Sequence, residues 1–369
     1  MRVGLVAALS LPWLALPACR RSEAAVRIES IGPVLKDLRE HGARMAEQMR
    51  KPPPEPPWTA QDDAIPATLE EDRAELLRKL RERLGVSDDA IEAIRKIFSK
   101  APRLGQGNPK VTEHPMTRAQ CREIRAKSKT MPASSLCGAP NMVAVYATEK
   151  GETENDARVC IDQFEFPDIA CEYPVTWVQA FQAQEICKAL GKRLCDAHEW
   201  EGACYGDLRP AQDEYAWNLD RANAAAAHNA RNVKNGWIRW AYGPVKDHKK
   251  CATTGHKSPK CVASEYELCG SNTFPAGAFP ECVSPFGVYD QHGNAAEHMS
   301  IPMKPSELGS RGGIGWTEMK GSWFIFDSYE AHEDDCRWRA PDWHGSRVMD
   351  PNSHANYHLG FRCCKDIGK

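Results

Sequence analysis

The chain has 369 residues, 42% of them hydrophobic, and a formal net charge of −2. That length allows two domains, or one large domain with an extension, and the hydrophobic share is enough for a core. The near-neutral balance excludes the basic excess of a nucleic-acid-binding domain. No C-x-x-C spacing occurs among the 15 cysteines, which excludes a zinc ribbon.

Residues 1–18 read as a signal segment. Arg2 is a short positive region, and residues 3–16 are apolar but too short to span a bilayer. Leu16-Pro17-Ala18-Cys19 resembles a bacterial lipobox. Cleavage before Cys19 and acylation of its sulfur would anchor the protein in a membrane, and a third acyl chain on the new amino terminus would make that anchor firm. The expected location is the cell envelope: exported, lipid-anchored, at an outer membrane facing periplasm or surface. The 14 cysteines left after Cys19 fit an oxidising compartment. Residues 19–66 read as a tether, stiffened by Lys51-Pro52-Pro53-Pro54-Glu55-Pro56-Pro57.

Residues 67–140 read as a helical hairpin followed by loop. Leu69, Leu76, Leu77, Leu80 and Leu84 recur at helical spacing, and Gly85 breaks the pattern. Asp88 or Asp89 is placed to cap a second helix carrying Ile91, Ile94, Ile97 and Phe98. Residues 101–135, rich in Pro, Lys and Arg, read as loop. From about Val143 the texture changes to short apolar runs dense in Trp, Gly and Cys, which predicts an irregular α+β domain over 141–369 pinned by disulfides. Residues 159–165 read as a strand, and residues 178–190 as a helix ended by Gly191. Asp196, with Glu199 three residues on, predicts the next helix start.

Four motifs in this region carry a family resemblance. They are Gly191-Lys192-Arg193-Leu194 running on to Glu199-Trp200-Glu201; Gly287-Val288-Tyr289-Asp290-Gln291-His292-Gly293-Asn294; Lys320-Gly321-Ser322-Trp323; and Leu359-Gly360-Phe361-Arg362-Cys363. In kind and order they are similar to the motifs of the formylglycine-generating-enzyme, or sulfatase-modifying-factor, family. The resemblance implies a C-type-lectin-like α+β fold. It implies disulfides Cys187–Cys363 and Cys204–Cys336. Cys195 and Cys364 sit beside those pairs and are expected to form a third bridge; the other eight cysteines stay unassigned.

Family enzymes oxidise a substrate cysteine at copper held by two thiolates, a ligand set suited to Cu(I). Those thiolates lie three and eight residues after the motif serine. Counting from Ser322, the positions hold Ile325 and Glu330, or Ala331 with a one-residue insertion. No catalytic residue is therefore assigned, and no transition metal is expected. The resemblance also implies a calcium site at Asp290, Gly293, Ala295 and Glu297, since two side-chain oxygens and two carbonyls suit a hard cation. A second site should lie between 222 and 275, with Asn223 as first ligand. Ser322, Trp323, Trp338, Arg339, Trp343 and Arg362 fall near the family's substrate end and are expected to line a groove for a peptide or glycan. His298 stands where the family has Trp, which alters the adjacent wall. The function expected is a non-catalytic binding or scaffold role, with the membrane, a peptide or glycan ligand, or an envelope protein as partner and no nucleic acid. The alternative is a metal-dependent oxidoreductase using His332, His344, His354 and His358 in place of thiols.

Overall fold

A computed structural model describes residues 56–262, 265–313, 315–340 and 345–368. The signal segment, Cys19, most of the tether, Trp343 and His344 lie outside the described residues. Among the described residues no helix is long and apolar enough to cross a membrane.

The leucine-rich hairpin forms as α2 (Leu69–Leu84) and α3 (Asp88–Lys100), after a short α1 (Ala60–Asp63). Thr68 and Glu71 close a capping box at the start of α2. Gly85, at φ 64°, ends α2 in the left-handed conformation that glycine adopts without strain. The cap of α3 is Ser87, whose side chain accepts from Ala90 N, and not Asp88 or Asp89, which lie inside the first turn. The loop expected over 101–135 contains a further helix, α4 (Arg118–Ala126), started by a Thr117–Gln120 capping box. Its apolar stripe is thin, so hydrophobic spacing alone does not reveal it.

The hairpin is not a separate body. Leu76, Leu77, Leu80, Ile91, Ile94 and Phe98 share one core with Phe166, Val178, Ala183, Ile186 and Phe361 of the domain that follows. Glu55–Lys369 is one compact unit. Nor does the tether run to residue 66. Trp58 lies between the guanidinium groups of Arg83 (3.5 Å) and Arg122 (4.5 Å), and buried Asp62 pairs with Arg78 (2.7 Å) and Arg83 (3.0 Å). Trp58→Ala is expected to cost about 1–2 kcal/mol in urea unfolding, because two cation–π contacts are lost together.

Two sheets follow. One is antiparallel with order β1 (Met142–Val145), β2 (Val159–Asp162), β7 (Cys363–Asp366), β3 (Arg193–Leu194). The other has order β5 (Trp316–Lys320), β4 (Ala296–Ile301), β6 (Leu359–Phe361), with β4 antiparallel to β5 and parallel to β6. The chain passes from β6 in one sheet to β7 in the other through a single residue, Arg362, which is fully buried. Helices α5 (Ala180–Ala189) and α6 (Ala197–Tyr205) pack beside the sheets; α6 is started by the Asp196–Glu199 capping box that the sequence predicts. α7 (Ala211–Glu214) and α8 (Arg221–Asn235) complete the helical elements used below.

Seven disulfides pin this loop-rich body. Cys187–Cys363, Cys195–Cys364 and Cys204–Cys336 join sequence positions 176, 169 and 132 residues apart. The eight cysteines left open pair as Cys121–Cys171, Cys137–Cys160, Cys251–Cys282 and Cys261–Cys269. Closing a loop of more than a hundred residues removes unfolded-state entropy worth about 4–5 kcal/mol in the chain-entropy picture, and less for Cys195–Cys364 once its neighbour Cys187–Cys363 has closed.

Candidate metal centre and aromatic wall

The loop leading into β4 turns tightly. Asp290, Gly293 and Asn294 all have positive φ (56°, 76° and 54°). Gly293 is required twice over, because a Cβ there would meet Ala252 O at 2.5 Å. The turn brings three buried carboxylates, Glu165, Asp290 and Glu297, into one electrostatic neighbourhood.

Their partners differ. Glu165 accepts from Ala295 N and Asn294 Nδ2, both at 2.8 Å. Glu297 accepts from Arg362 through both oxygens (2.7 and 2.6 Å) and from Trp200 Nε1 (2.9 Å). Asp290 Oδ2 accepts from Gly277 N at 2.5 Å, while its Oδ1 is buried with no hydrogen-bond partner. Burial pushes the Asp290 carboxyl up to about 6, against the donation from Gly277. Glu165 is held well above its ordinary range by burial, then by the charges of Asp290 and Glu297. Three carboxylates near two guanidinium groups, Arg362 and Arg125, would leave one net negative charge if all ionise, and a cation would offset it. The orphaned Asp290 oxygen fits a ligand to such an ion. Glu297 is less free, since both its oxygens already serve Arg362. Gly293 presents its N–H to Ser322 Oγ (2.9 Å), and Ala295 its N–H to Glu165.

Asn223 is the residue expected to ligate a second site. It lies in the first turn of α8, where its N and Nδ2 donate to the N-cap Asp220. Helix capping holds it there.

The groove residues divide. Ser322 is fully buried, accepting from Gly293 N and donating to Asp334 (2.8 Å). Arg339 is buried in a two-pronged pair with Glu201 (2.8 and 3.0 Å), and Arg362 in the pair with Glu297. A buried carboxylate needs a matching cation, so both arginines face inward in place of lining a groove. His298 is likewise internal, with Nε2 2.9 Å from Val178 O.

Trp323 and Trp338 instead belong to a wall of rings. Trp323 stacks on His358 (4.4 Å between centroids, 11° between planes), and His332 stacks on Trp338 (4.7 Å, 8°). His332 also lies 5.6 Å from Trp323, and Tyr329, 62% exposed, stands 6.4 Å from it. His354 Nε2 and His358 Nε2 converge on Asn356 Nδ2 at 3.0 and 3.1 Å. Sequence spacing does not single out Asn356 or Tyr329; an aromatic-rich stretch is the signal that points to the latter.

The model of the sulfatase-modifying factor enzyme 1-like domain matches residues 113–367. The chain belongs to this family. The match begins before the domain start expected at 141 and takes in α4, consistent with the Cys121–Cys171 bridge that ties that helix to the domain. A comparison with curated proteins finds no match. At the positions where the resemblance places the family's thiolates, Ile325 is buried in the aromatic core with Trp323 and Phe326, Glu330 is exposed and paired with Lys246, and Ala331 is exposed.

Proposed function

We propose that this sulfatase-modifying-factor domain serves a non-catalytic binding or scaffold role on a lipid-anchored protein of the cell envelope. One observation carries the reading: Ile325 fills the first thiolate position with packed hydrocarbon, which cannot hold copper. The ring surface left open at Tyr329, with the part-exposed His332 and Trp338 beside it, supports a peptide or glycan ligand, since aromatic surface suits sugar rings and side chains. Asp290, with Gly293, Ala295 and Glu297, is the calcium site of this reading, and the ion's role is structural.

The test of the role is direct. Purified protein incubated with oxygen, copper and a cysteine-containing peptide should form no aldehyde; aldehyde above the level of a no-enzyme control overturns the reading. Anchoring is tested by Cys19→Ser. That change should abolish labelling by radioactive palmitate and move the protein from the membrane pellet to the soluble fraction. Unchanged partition would mean that no lipid is attached there.

A second reading rests on the convergence of His354 and His358. Two imidazoles meeting at one amide would suit Fe(II), Zn(II) or Cu(II) once that amide moved, and the activity would be a metal-dependent oxidation. Elemental analysis separates the two. Stoichiometric iron or copper, lost on His354→Ala or His358→Ala, would favour the second reading and sink the first.

A further inference from the structure

Cys204 on α6, Cys336 and His292 meet in the interior, all with no exposed surface. His292 Nε2 stands 3.3 Å from Cys204 Sγ and 3.9 Å from Cys336 Sγ. One ligand atom from each of the three residues lies within 4.8 Å of the others. Ala241 N donates to the same Nε2 at 3.0 Å, so Nε2 carries the lone pair and Nδ1 the proton. Nδ1 faces Asp334 Oδ2 at 3.7 Å. Trp200 and Tyr242 set their planes steeply across the ring and hold its orientation.

The Asp334 carboxylate is itself fixed. It accepts from Ser322 Oγ and Trp240 Nε1, both at 2.8 Å, and from His248 at 3.3 Å. At 3.7 Å its contact with His292 Nδ1 is a close approach and not a hydrogen bond, and Nδ1 has no hydrogen-bond partner; a shift of under about 1 Å would give the carboxylate–imidazole pair that orients a ligating histidine. The bridge Cys195–Cys364 offers a contrast within the same molecule. Its neighbour is Glu199, whose oxygens are committed to Arg193 (2.8 and 2.5 Å).

We propose that the Cys204–Cys336 bridge is a latent soft-metal site, with Cys204, Cys336 and His292 as ligands and Asp334 as the positioning carboxylate. Reduction opens it. A trialkylphosphine attacks one sulfur, the S–S bond breaks, and water supplies the oxygen of the phosphine oxide and the two protons of the thiols. A Zn(II), Cd(II) or Cu(I) ion then displaces both thiol protons to the buffer. His292 Nε2 exchanges the Ala241 N–H for the metal, and that N–H turns to a thiolate. Thiolate and imidazole donors are those that soft and borderline cations prefer. The site is separate from Ile325 and Glu330 and does not depend on the role proposed above.

The experiment reduces the full chain with a phosphine under argon, adds equimolar Cd(II), and pulses with iodoacetamide. Peptide mass mapping then reads the alkylation rate of each cysteine, while circular dichroism follows the fold. Cadmium should slow Cys204 and Cys336 about tenfold more than Cys195 and Cys364, and His292→Gln should remove the difference; Asp334→Asn should weaken cadmium affinity about tenfold. The comparison between the two bridges needs no variant, so it stands even if His292→Gln does not fold. Equal protection of the two pairs, protection that survives His292→Gln, or a bridge that opens only when the circular dichroism of the fold is lost would each overturn the proposal.

Discussion

In a chelating buffer at pH 7, Asp290→Asn is expected to melt above the wild-type chain; millimolar calcium should close most of that gap by raising the wild type alone. The Asp290 carboxyl is raised from 3.8 to about 6 because burial outweighs the Gly277 N–H and the charges of Arg362 and Arg125, while Oδ1 has no hydrogen-bond partner. A carboxyl whose folded pKa lies above its unfolded value destabilises the fold as it ionises. On its account stability is intact below pH 3.8 and falls as pH rises through about 6. A rise of that size corresponds to about 3 kcal/mol, and Glu165 acts in the same direction. Asparagine keeps the shape and the acceptor for Gly277 without the charge. Calcium at a hundred times its dissociation constant would return about 2.7 kcal/mol to the wild type, roughly 3–5 °C for a chain of this size. Asp290→Asn should show almost none of that gain. Asp290→Ala combined with Glu297→Ala should also lose it, but that pair of changes strips Arg362 of its partner and lowers stability in chelator as well. Differential scanning calorimetry with and without calcium checks all three chains. If wild type and Asp290→Asn respond alike to calcium, the centre does not bind it.

Glu172→Ala should cost about 3–5 kcal/mol, the range for a buried ion pair robbed of one member. Glu172 is fully buried and accepts from Lys79 and Arg118 (both 2.6 Å), Gln106 (2.8 Å) and Tyr173 N (3.0 Å). Despite burial, Arg118 and then Lys79 hold its carboxyl down at about 2. Lys79 is itself pushed down, burial outweighing the pull of Glu172, because Arg118 stands against the same carboxylate. Asp72, raised to about 6 mainly by burial, is the second acid of the cluster. These groups come from α2, α4 and the segment between, so one carboxylate fastens the extension to the domain. The folded pKa is depressed, so this stabilisation is present above pH 4.5 and is lost as pH falls towards 2. Urea unfolding should report the loss, and trypsin should cut sooner between residues 100 and 118. Lys79→Met added to Glu172→Ala should recover part of the loss, since it removes one stranded cation. A cost under about 1 kcal/mol would show that the network contributes little.

Some of the candidate site was legible without coordinates and some was not. The four ordered motifs and the Asp196 capping box could be read residue by residue, because both depend on residue type at fixed spacing. The groove could not. Trp323, Trp338, Arg339 and Arg362 look alike on paper as aromatic and cationic residues near one end of a motif. Trp323 and Trp338 stand in the ring wall, whereas the two arginines turn inward to Glu201 and Glu297. Those acids lie 138 and 65 residues away. Likewise the sequence does not show that Asn223 sits in the first turn of α8 with its N and Nδ2 donating to the N-cap Asp220.

The sequence by itself determined the family, the α+β class, the hairpin with its Gly85 break and the Asp196 capping box. These follow from local patterns: helical spacing, cap chemistry and ordered motifs. Only the tertiary structure decided that the hairpin shares the domain core, that residues 56–66 are held by Trp58 and Asp62, that α4 exists, and how eight further cysteines pair. It also set the buried acids beside Arg362 and His292 against a disulfide. Burial, charge pairing and bridge geometry join residues far apart in the chain, and their energies depend on which groups lose water together.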